Sequence, residues 1–245
     1  MKTTILTWLW SQPNGRSSVT GELHYSAEHV NIWADMVRCN LTADAEIAVC
    51  TDMTDGIDPS IRIIPMPPMP DIDNPFWKES EGAPQCYRRL HIYRPDAADV
   101  FGTERILMMD LDVVIGGNID RLVNTQDDLR FLYPTSRKRP LNGGLQFVRC
   151  GAKPVIWTRF NAAEAQRASQ RFVGSDQAWL ANLLGKKVNL FTREQGVLHY
   201  NKKMTSVADS VAILFFPGFV KPWHYDHHGL QWVRQHYRRT EGHSA

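Results

Sequence analysis

The stretch Glu104–Gly117, ERILMMDLDVVIGG, decides how the rest of the chain is read. It is the most apolar β-like run in the sequence, yet it holds two carboxylates, Asp110 and Asp112, with one leucine between them. A charge in an apolar strand is costly unless something neutralises it. Read as one strand, the run puts both acids on the same face, about 7 Å apart, and turns Leu111 into the packing. Gly116 and Gly117 then end the strand, so the acid pair lies near its carboxyl edge, where a parallel sheet places its ligand.

Two carboxylates in that position suit a hard divalent cation, Mn²⁺ or Mg²⁺, which takes oxygen ligands and keeps open positions for a substrate diphosphate. The competing reading is that the acids cap a turn or pair with arginines at the sheet edge. An acid-x-acid triplet alone does not separate the two.

Working outward, Thr3–Trp10 reads as a first strand, broken by the turn residues SQPNGRSS. Ser26 opens a helix whose apolar residues Val30, Trp33, Met36 or Val37, and Leu41 fall at helical spacing. AEIAVCTD and IRIIPMP are short strands, and APQCYRRLHIYRPDAADVFG is a helix interrupted at Pro95. In the second half GGLQFVRCG is a strand, PVIWTRFNAAEAQRA a helix, SDQAWLANLLG a helix capped by Ser175, and VAILFFPG a late strand. This order predicts an α/β fold with a mostly parallel sheet flanked by helices. The proline-dense Pro65–Pro75 reads as a surface loop, leaving residues 1–245 as a single domain with a basic, aromatic tail from His224 onward.

A net charge of +2 argues against a strong nucleic-acid binder or a membrane-surface protein. The basic excess is local, in Ser136–Pro140 (SRKRP) and Val233–Arg239 (VRQHYRR). Cys39, Cys50, Cys86 and Cys150 have no C-x-x-C spacing, which predicts free thiols and a cytoplasmic protein. No run approaches the roughly 20 apolar residues of a membrane span. The tail GLQWVRQHYRR predicts a short amphipathic helix, placed either on a membrane surface or over the body of the protein. Dinucleotide-binding, P-loop and serine-hydrolase motifs are missing. HYDHHG (His224–Gly229) reads as solvated histidines or, less simply, as a metal cluster.

The run RILMMDLDVVIGGNIDRL resembles the D-x-D strand of GT-A glycosyltransferases of the family-8 type, which includes glycogenin and bacterial lipopolysaccharide galactosyltransferases. Four more pieces follow in that family's order: YRRL (Tyr87–Leu90), LNGGLQFV (Leu141–Val148), GSDQAWL (Gly174–Leu180) and FFPGFVKPW (Phe215–Trp223). The resemblance implies the GT-A fold and a nucleotide-sugar donor, a UDP-sugar, held by Mn²⁺ or Mg²⁺ between Asp110, Asp112 and the diphosphate. It implies donor contacts from Arg89, Asp110, Asn142, Gly143, Gly218 and Lys221, with Lys221 at the departing phosphate. Asp176 would meet sugar hydroxyls, and Gln177 would sit beside the anomeric carbon. Trp8 or Trp10 is available to stack on uracil, with core packing as the alternative. The family's transfer is retaining, and a front-face route is expected in which the leaving phosphate takes the acceptor proton.

The sequence departs from the pattern at the third metal ligand. Phe215 stands where the family has a histidine, and Pro217 where a bacterial branch has one, so His199, His224 and His227 are the candidate replacements. The expected acceptor is a saccharide or lipooligosaccharide. A hydroxymethylated base in phage DNA is the alternative, and a non-catalytic nucleotide-sugar-binding protein or a nucleotidyltransferase are the rivals.

Overall fold

The computed structural model describes residues 2–11, 25–68, 86–185 and 187–240. Most of the turn segment 11–18, part of the proline-rich 65–75 segment and the end of the tail therefore lie outside the described residues. The strands are β1 Thr3–Leu9, β2 Glu46–Thr51, β3 Arg62–Pro65, β4 Arg105–Met109, β5 Val113–Ile115, β6 Leu129–Leu132, β7 Asn142–Arg149, β8 Asn189–Phe191, β9 Val197–His199 and β10 Ile213–Phe215. The helices are α1 Ala27–Cys39, α2 Ala97–Phe101, α3 Asp120–Val123, α4 Val155–Thr158, α5 Ala162–Arg171, α6 Asp176–Leu184, α7 Tyr225–His228 and α8 Gln231–His236, with a 3₁₀ helix at Cys86–Tyr93.

Seven strands form the main sheet in the order β3-β2-β1-β4-β7-β6-β8, and only β7 runs against its neighbours. Both faces are covered. All seven residues of β1 are buried, as expected for a central parallel strand. The period of two then divides the core: Leu107 and Met109 of β4 point to one apolar cluster, and Ile106 and Met108 to the other. A smaller sheet, β5-β10-β9, sits at the end of β4.

The opening run is therefore two strands in two sheets, which corrects the single-strand reading. Asp110 N–H donates to the Gly144 carbonyl at 2.9 Å, the last rung of the main sheet, and Phe216 N–H donates to the Asp112 carbonyl at 2.9 Å, the first link to the small one. The acids occupy the bend between them, where no strand-face geometry applies. A bend at a sheet edge lets both carboxylates reach polar partners, which a residue inside β4 lacks. Leu111 turns into the core as expected and is 4 % exposed.

The predicted interruption at Pro95 is present: a tight 3₁₀ helix at Cys86–Tyr93 precedes it and α2 follows. A second predicted helix is divided. The 154–171 segment splits into α4 and α5 because the Asn161 side chain accepts from Glu164 N–H at 2.9 Å. That N-cap contributes about 1 kcal/mol and starts a new helix. Ser175 occupies the N-cap position of α6 but makes no side-chain cap hydrogen bond.

The tail packs over the body. Leu230, Val233 and Tyr237 are buried, and Arg239 pairs with Asp35 at 2.9 Å and Asp58 at 3.1 Å. Gly116 is the seat of this tail: a Cβ there would lie 2.4 Å from the Trp232 ring. Among the described residues no helix is long and apolar enough to cross a membrane, and all four cysteines are free thiols.

Candidate active site

The carboxyl ends of β1 and β4 open into a cavity of about 180 Å³ lined by Trp8, Trp10, Tyr25, Arg89, Asp110, Asp112 and Lys221. Each aspartate carries its own cation. Arg89 projects from the 3₁₀ helix, 6 % exposed, and its fork is shared. Nη1 pairs with Asp110 Oδ1, while Nη2 and Nε meet the two oxygens of Asp176 at 3.0 and 2.9 Å. Arg88, the adjacent arginine, is half-exposed and points elsewhere. Burial opposes the charge on Arg89, but Asp110 and Asp176 outweigh it and hold the guanidinium protonated.

Gly143 explains how this triad fits against β7. A Cβ at Gly143 would come within 3.0 Å of Asp176 Oδ2 and 3.1 Å of Arg89 Nη2. A Cβ at Gly144 would meet Asp110 Oδ2 at 3.1 Å and the Asn142 side-chain oxygen at 3.2 Å. The two glycines thus let β7 pass close behind the polar cluster, and Asn142 reaches the edge of it by accepting from Gly144 N–H at 2.9 Å.

Asp112 is served by Lys221, whose Nζ lies 2.5 Å from Oδ2. Tyr25 donates its hydroxyl to the same oxygen at 3.4 Å. Burial opposes the ammonium of Lys221, yet Asp112 and Tyr25 prevail and its pKa is raised. Burial pushes the Asp110 carboxyl up to about 6, against Arg89 and with the help of the Asp112 charge. A like-charge pair of this kind is stabilised by an added cation.

Among the described residues, Asp110 Oδ2 and Asp112 Oδ1 have no hydrogen-bond partner, and both carboxylates line the one cavity. Two open carboxylate oxygens of that kind fit a hard divalent cation that draws its other ligands from substrate and water. The third-ligand candidates do not join them: no group of three or more His, Cys, Asp or Glu side chains is arranged to hold a metal among the described residues. His199 Nε2 is spent on the Tyr133 carbonyl at 3.2 Å, and His224 Nδ1 accepts from Lys221 N–H at 3.3 Å. His227 lies on α7 with its ring 5.8 Å from that of His224, so HYDHHG forms part of the tail packing.

The remaining expected residues are placed as follows. Trp8 is 6 % exposed and edge-on to Phe101 at 6.1 Å, so it packs in the core while presenting one side to the cavity. Gln177 donates to the Val173 carbonyl at 2.8 Å, turned away from the aspartates. Gly218 has φ +100° in the loop before Lys221 and no neighbour that a Cβ would meet. Tyr25 was not among the expected residues. Its partner lies 87 positions away, and an aromatic one residue before a helix N-cap reads as ordinary packing.

No protein-family model matches the sequence, and no curated protein matches it. Solved structures do. The galactosyltransferase LgtC in complex with donor and acceptor sugar analogs aligns at 13 % identity and TM-score 0.58, covering 97 % of this chain and 98 % of that one. An LgtC active-site mutant with glutamine replaced by glutamate aligns at 13 % identity and TM-score 0.59, over 94 % and 93 %. The apo glycosyltransferase GlyE of Streptococcus pneumoniae aligns at 10 % identity and TM-score 0.57, over 96 % of this chain and 62 % of its own. At such identities what is shared is the architecture: this chain has the GT-A fold of those glycosyltransferases.

Proposed function

We propose that the protein is a glycosyltransferase that moves a sugar from a nucleoside diphosphate sugar, a UDP-sugar, to an acceptor hydroxyl with retention. The observation that carries this reading is the double acid–cation pairing in one cavity: Asp110 with Arg89, and Asp112 with Lys221. Such a cavity offers carboxylates to a cation, a buried ammonium to a phosphate, and the aromatic walls Trp8, Trp10 and Tyr25 to a base. LgtC supports it by fold, and by having a glutamine among its active-site residues, the residue type at position 177.

Asp110 and Asp112 would hold the divalent cation, which supplies neutralisation of the charge on the leaving diphosphate. Lys221 is a compact, buried charge next to that place, suited to stabilise the departing phosphate. Arg89 acts differently from the expected direct donor contact. Its fork is filled by Asp110 and Asp176, so it orients both carboxylates, and Asp176 keeps acceptor capacity for sugar hydroxyls. Retention follows a front-face course: the anomeric C–O bond breaks with its electron pair going to the phosphate, the acceptor oxygen bonds to carbon, and its proton passes to the phosphate oxygen. Gln177 then needs no nucleophilic role, for which an amide is poorly suited.

The test is release of UDP from a panel of UDP-sugars with and without Mn²⁺. UDP release that EDTA and Asp112→Ala abolish supports the proposal. Donor binding without turnover on any sugar assigns the rival of a nucleotide-sugar-binding protein. Pyrophosphate release assigns a nucleotidyltransferase.

A further inference from the structure

The loops at the cavity end of the main sheet are electrically lopsided. On the β2 side, the loop 52–58 carries Asp52, Asp55 and Asp58 and no lysine or arginine. On the opposite side the loops that leave β6 and β9 carry only cations. Residues 133–142 include Arg137, Lys138 and Arg139 with no acid, and residues 199–206 include Lys202 and Lys203 with no acid. Arg171 joins them at the end of α5. All six are exposed, and among the described residues none pairs with a carboxylate.

The placement ties these cations to the site. A tight turn, closed by Arg139 N–H to the Ser136 carbonyl at 3.0 Å, holds Arg137 and Lys138 at its tip. Asn142, beside Asp110, follows two residues after Pro140. Val173 N–H donates to the Lys138 carbonyl at 2.8 Å, and Gln177 donates to the Val173 carbonyl. The turn is thus bolted to the segment that leads into Asp176. The loop 200–203 begins where Tyr200 N–H meets the Phe215 carbonyl at 2.7 Å, and Phe215 lies against Gly144. Phe219, 72 % exposed, stands in the loop before Lys221.

A chain of net charge +2 that gathers, on one side of the cavity end of the sheet, six cations with no carboxylate partner among the described residues accepts self-repulsion there, which an anion relieves. The donor diphosphate is served by Lys221 and the aspartates on the other side. Resting on the glycosyltransferase reading above, we propose that the acceptor bears a phosphate group, held by Arg137, Lys138, Arg139 and Arg171 while its hydroxyl faces the donor sugar in the cavity. Arginine forks at a short turn match the oxygens of a phosphate. Three cations on three successive residues at one short turn match a single phosphate group more closely than the extended backbone of a polyanion.

The test titrates galactose and galactose 6-phosphate into protein saturated with UDP and Mn²⁺, at low salt. The phosphorylated sugar is expected to bind at least about tenfold more tightly, with the advantage falling as salt screens the exposed cations. The triple variant Arg137→Ser/Lys138→Ser/Arg139→Ser is expected to lose that advantage at an unchanged Tm. Co-sedimentation with phosphatidylglycerol-containing vesicles but not phosphatidylcholine vesicles, lost in the same variant, assigns the phosphate to a lipid. Binding of the soluble sugar phosphate alone assigns it to a free one. Equal affinity for both sugars, binding of neither sugar nor vesicle, or an advantage that survives the triple variant overturns the proposal. Duplex DNA bound more tightly than either, with a steep salt dependence, overturns it in favour of a nucleic acid acceptor. Wild-type protein that does not bind UDP marks failure of the glycosyltransferase reading instead.

Discussion

The two halves of the acid pair carry the same charge and are supported in different ways. Asp110 belongs to a triad built inside the main sheet, with Arg89 clamped between two carboxylates and Gly143 clearing the space. Asp112 leans on the tail. Trp223, two residues after Lys221, stacks near His29 at 4.1 Å and lies 5.8 Å from Tyr25 and 5.9 Å from Tyr237. Beyond Tyr237, Arg239 anchors the strap on buried Asp35. One half is therefore fixed by the fold of the sheet, the other by an aromatic stack that the last described residues hold in place. The difference teaches where the site can move: Lys221, the lysine proposed to face the leaving phosphate, is on the less deeply built side.

Breaking the Asp110 half should have the largest effect. Arg89→Ala leaves the buried carboxylate of Asp176 without its cation, while Asp110, 34 % exposed at its side chain, still faces the cavity; removing one partner from a buried charge network costs about 3–5 kcal/mol. At about 2–4 °C per kcal/mol for a chain of this size, thermal unfolding should shift down by about 10 °C. A shift under about 2 °C would show that the triad is not structural. Breaking the other half should separate stability from activity. Lys221→Ala should lower UDP release by about 10²–10³-fold, the size of one lost charge-stabilising contact, while lowering Tm by less than Arg89→Ala. Equal losses of Tm in the two variants would erase the contrast.

Acidification probes the support behind each half. His91 is fully buried behind Arg89, with neither ring nitrogen hydrogen-bonded among the described residues, and burial followed by Arg94 and Arg88 lowers its pKa to about 4. His29, behind Tyr25, is lowered to about 4 by burial and then by His224. A histidine with a lowered folded-state pKa stays neutral while the unfolded chain protonates near pH 6.5. Its stabilising effect is thus present above about 6.5 and lost as pH falls towards 4, by up to about 3 kcal/mol for His91 and less for the partly exposed His29. His91→Phe, which keeps a ring against Trp157, should flatten this decline in a denaturant series at pH 4.5 to 7. An unchanged slope would rule His91 out.

The smallest effect should come from loosening the strap. Arg239→Ala should cost about 1–2 kcal/mol, because Arg38 still pairs with Asp35 at 2.8 Å. It should reduce turnover by more than it reduces donor affinity, since Lys221 is on the strapped side. An equal fall in both would place the strap behind the whole site.

Much of this was legible in the residues. The alternating apolar strands determined a parallel sheet with both faces buried, because a period of two with no polar face leaves no other solution. The acids at 110 and 112, the glycines at 143 and 144, and Lys221 before Pro222 marked the cavity in advance. Other features depended on contacts that no local pattern carries. The bend that divides β4 from β5 comes from two carbonyls accepting N–H groups across different sheets. Arg89 was singled out by the YRRL resemblance, but its pairing with Asp110 and Asp176 came from the turn of a 3₁₀ helix. Tyr25 reaches Asp112, and Trp232 seats on Gly116, only once segments far apart in sequence are packed together. The sequence alone thus determined which charges must be gathered at a strand end, because an apolar run cannot leave them unpaired; the tertiary structure decided which cation faces which acid, because that depends on distances between remote elements.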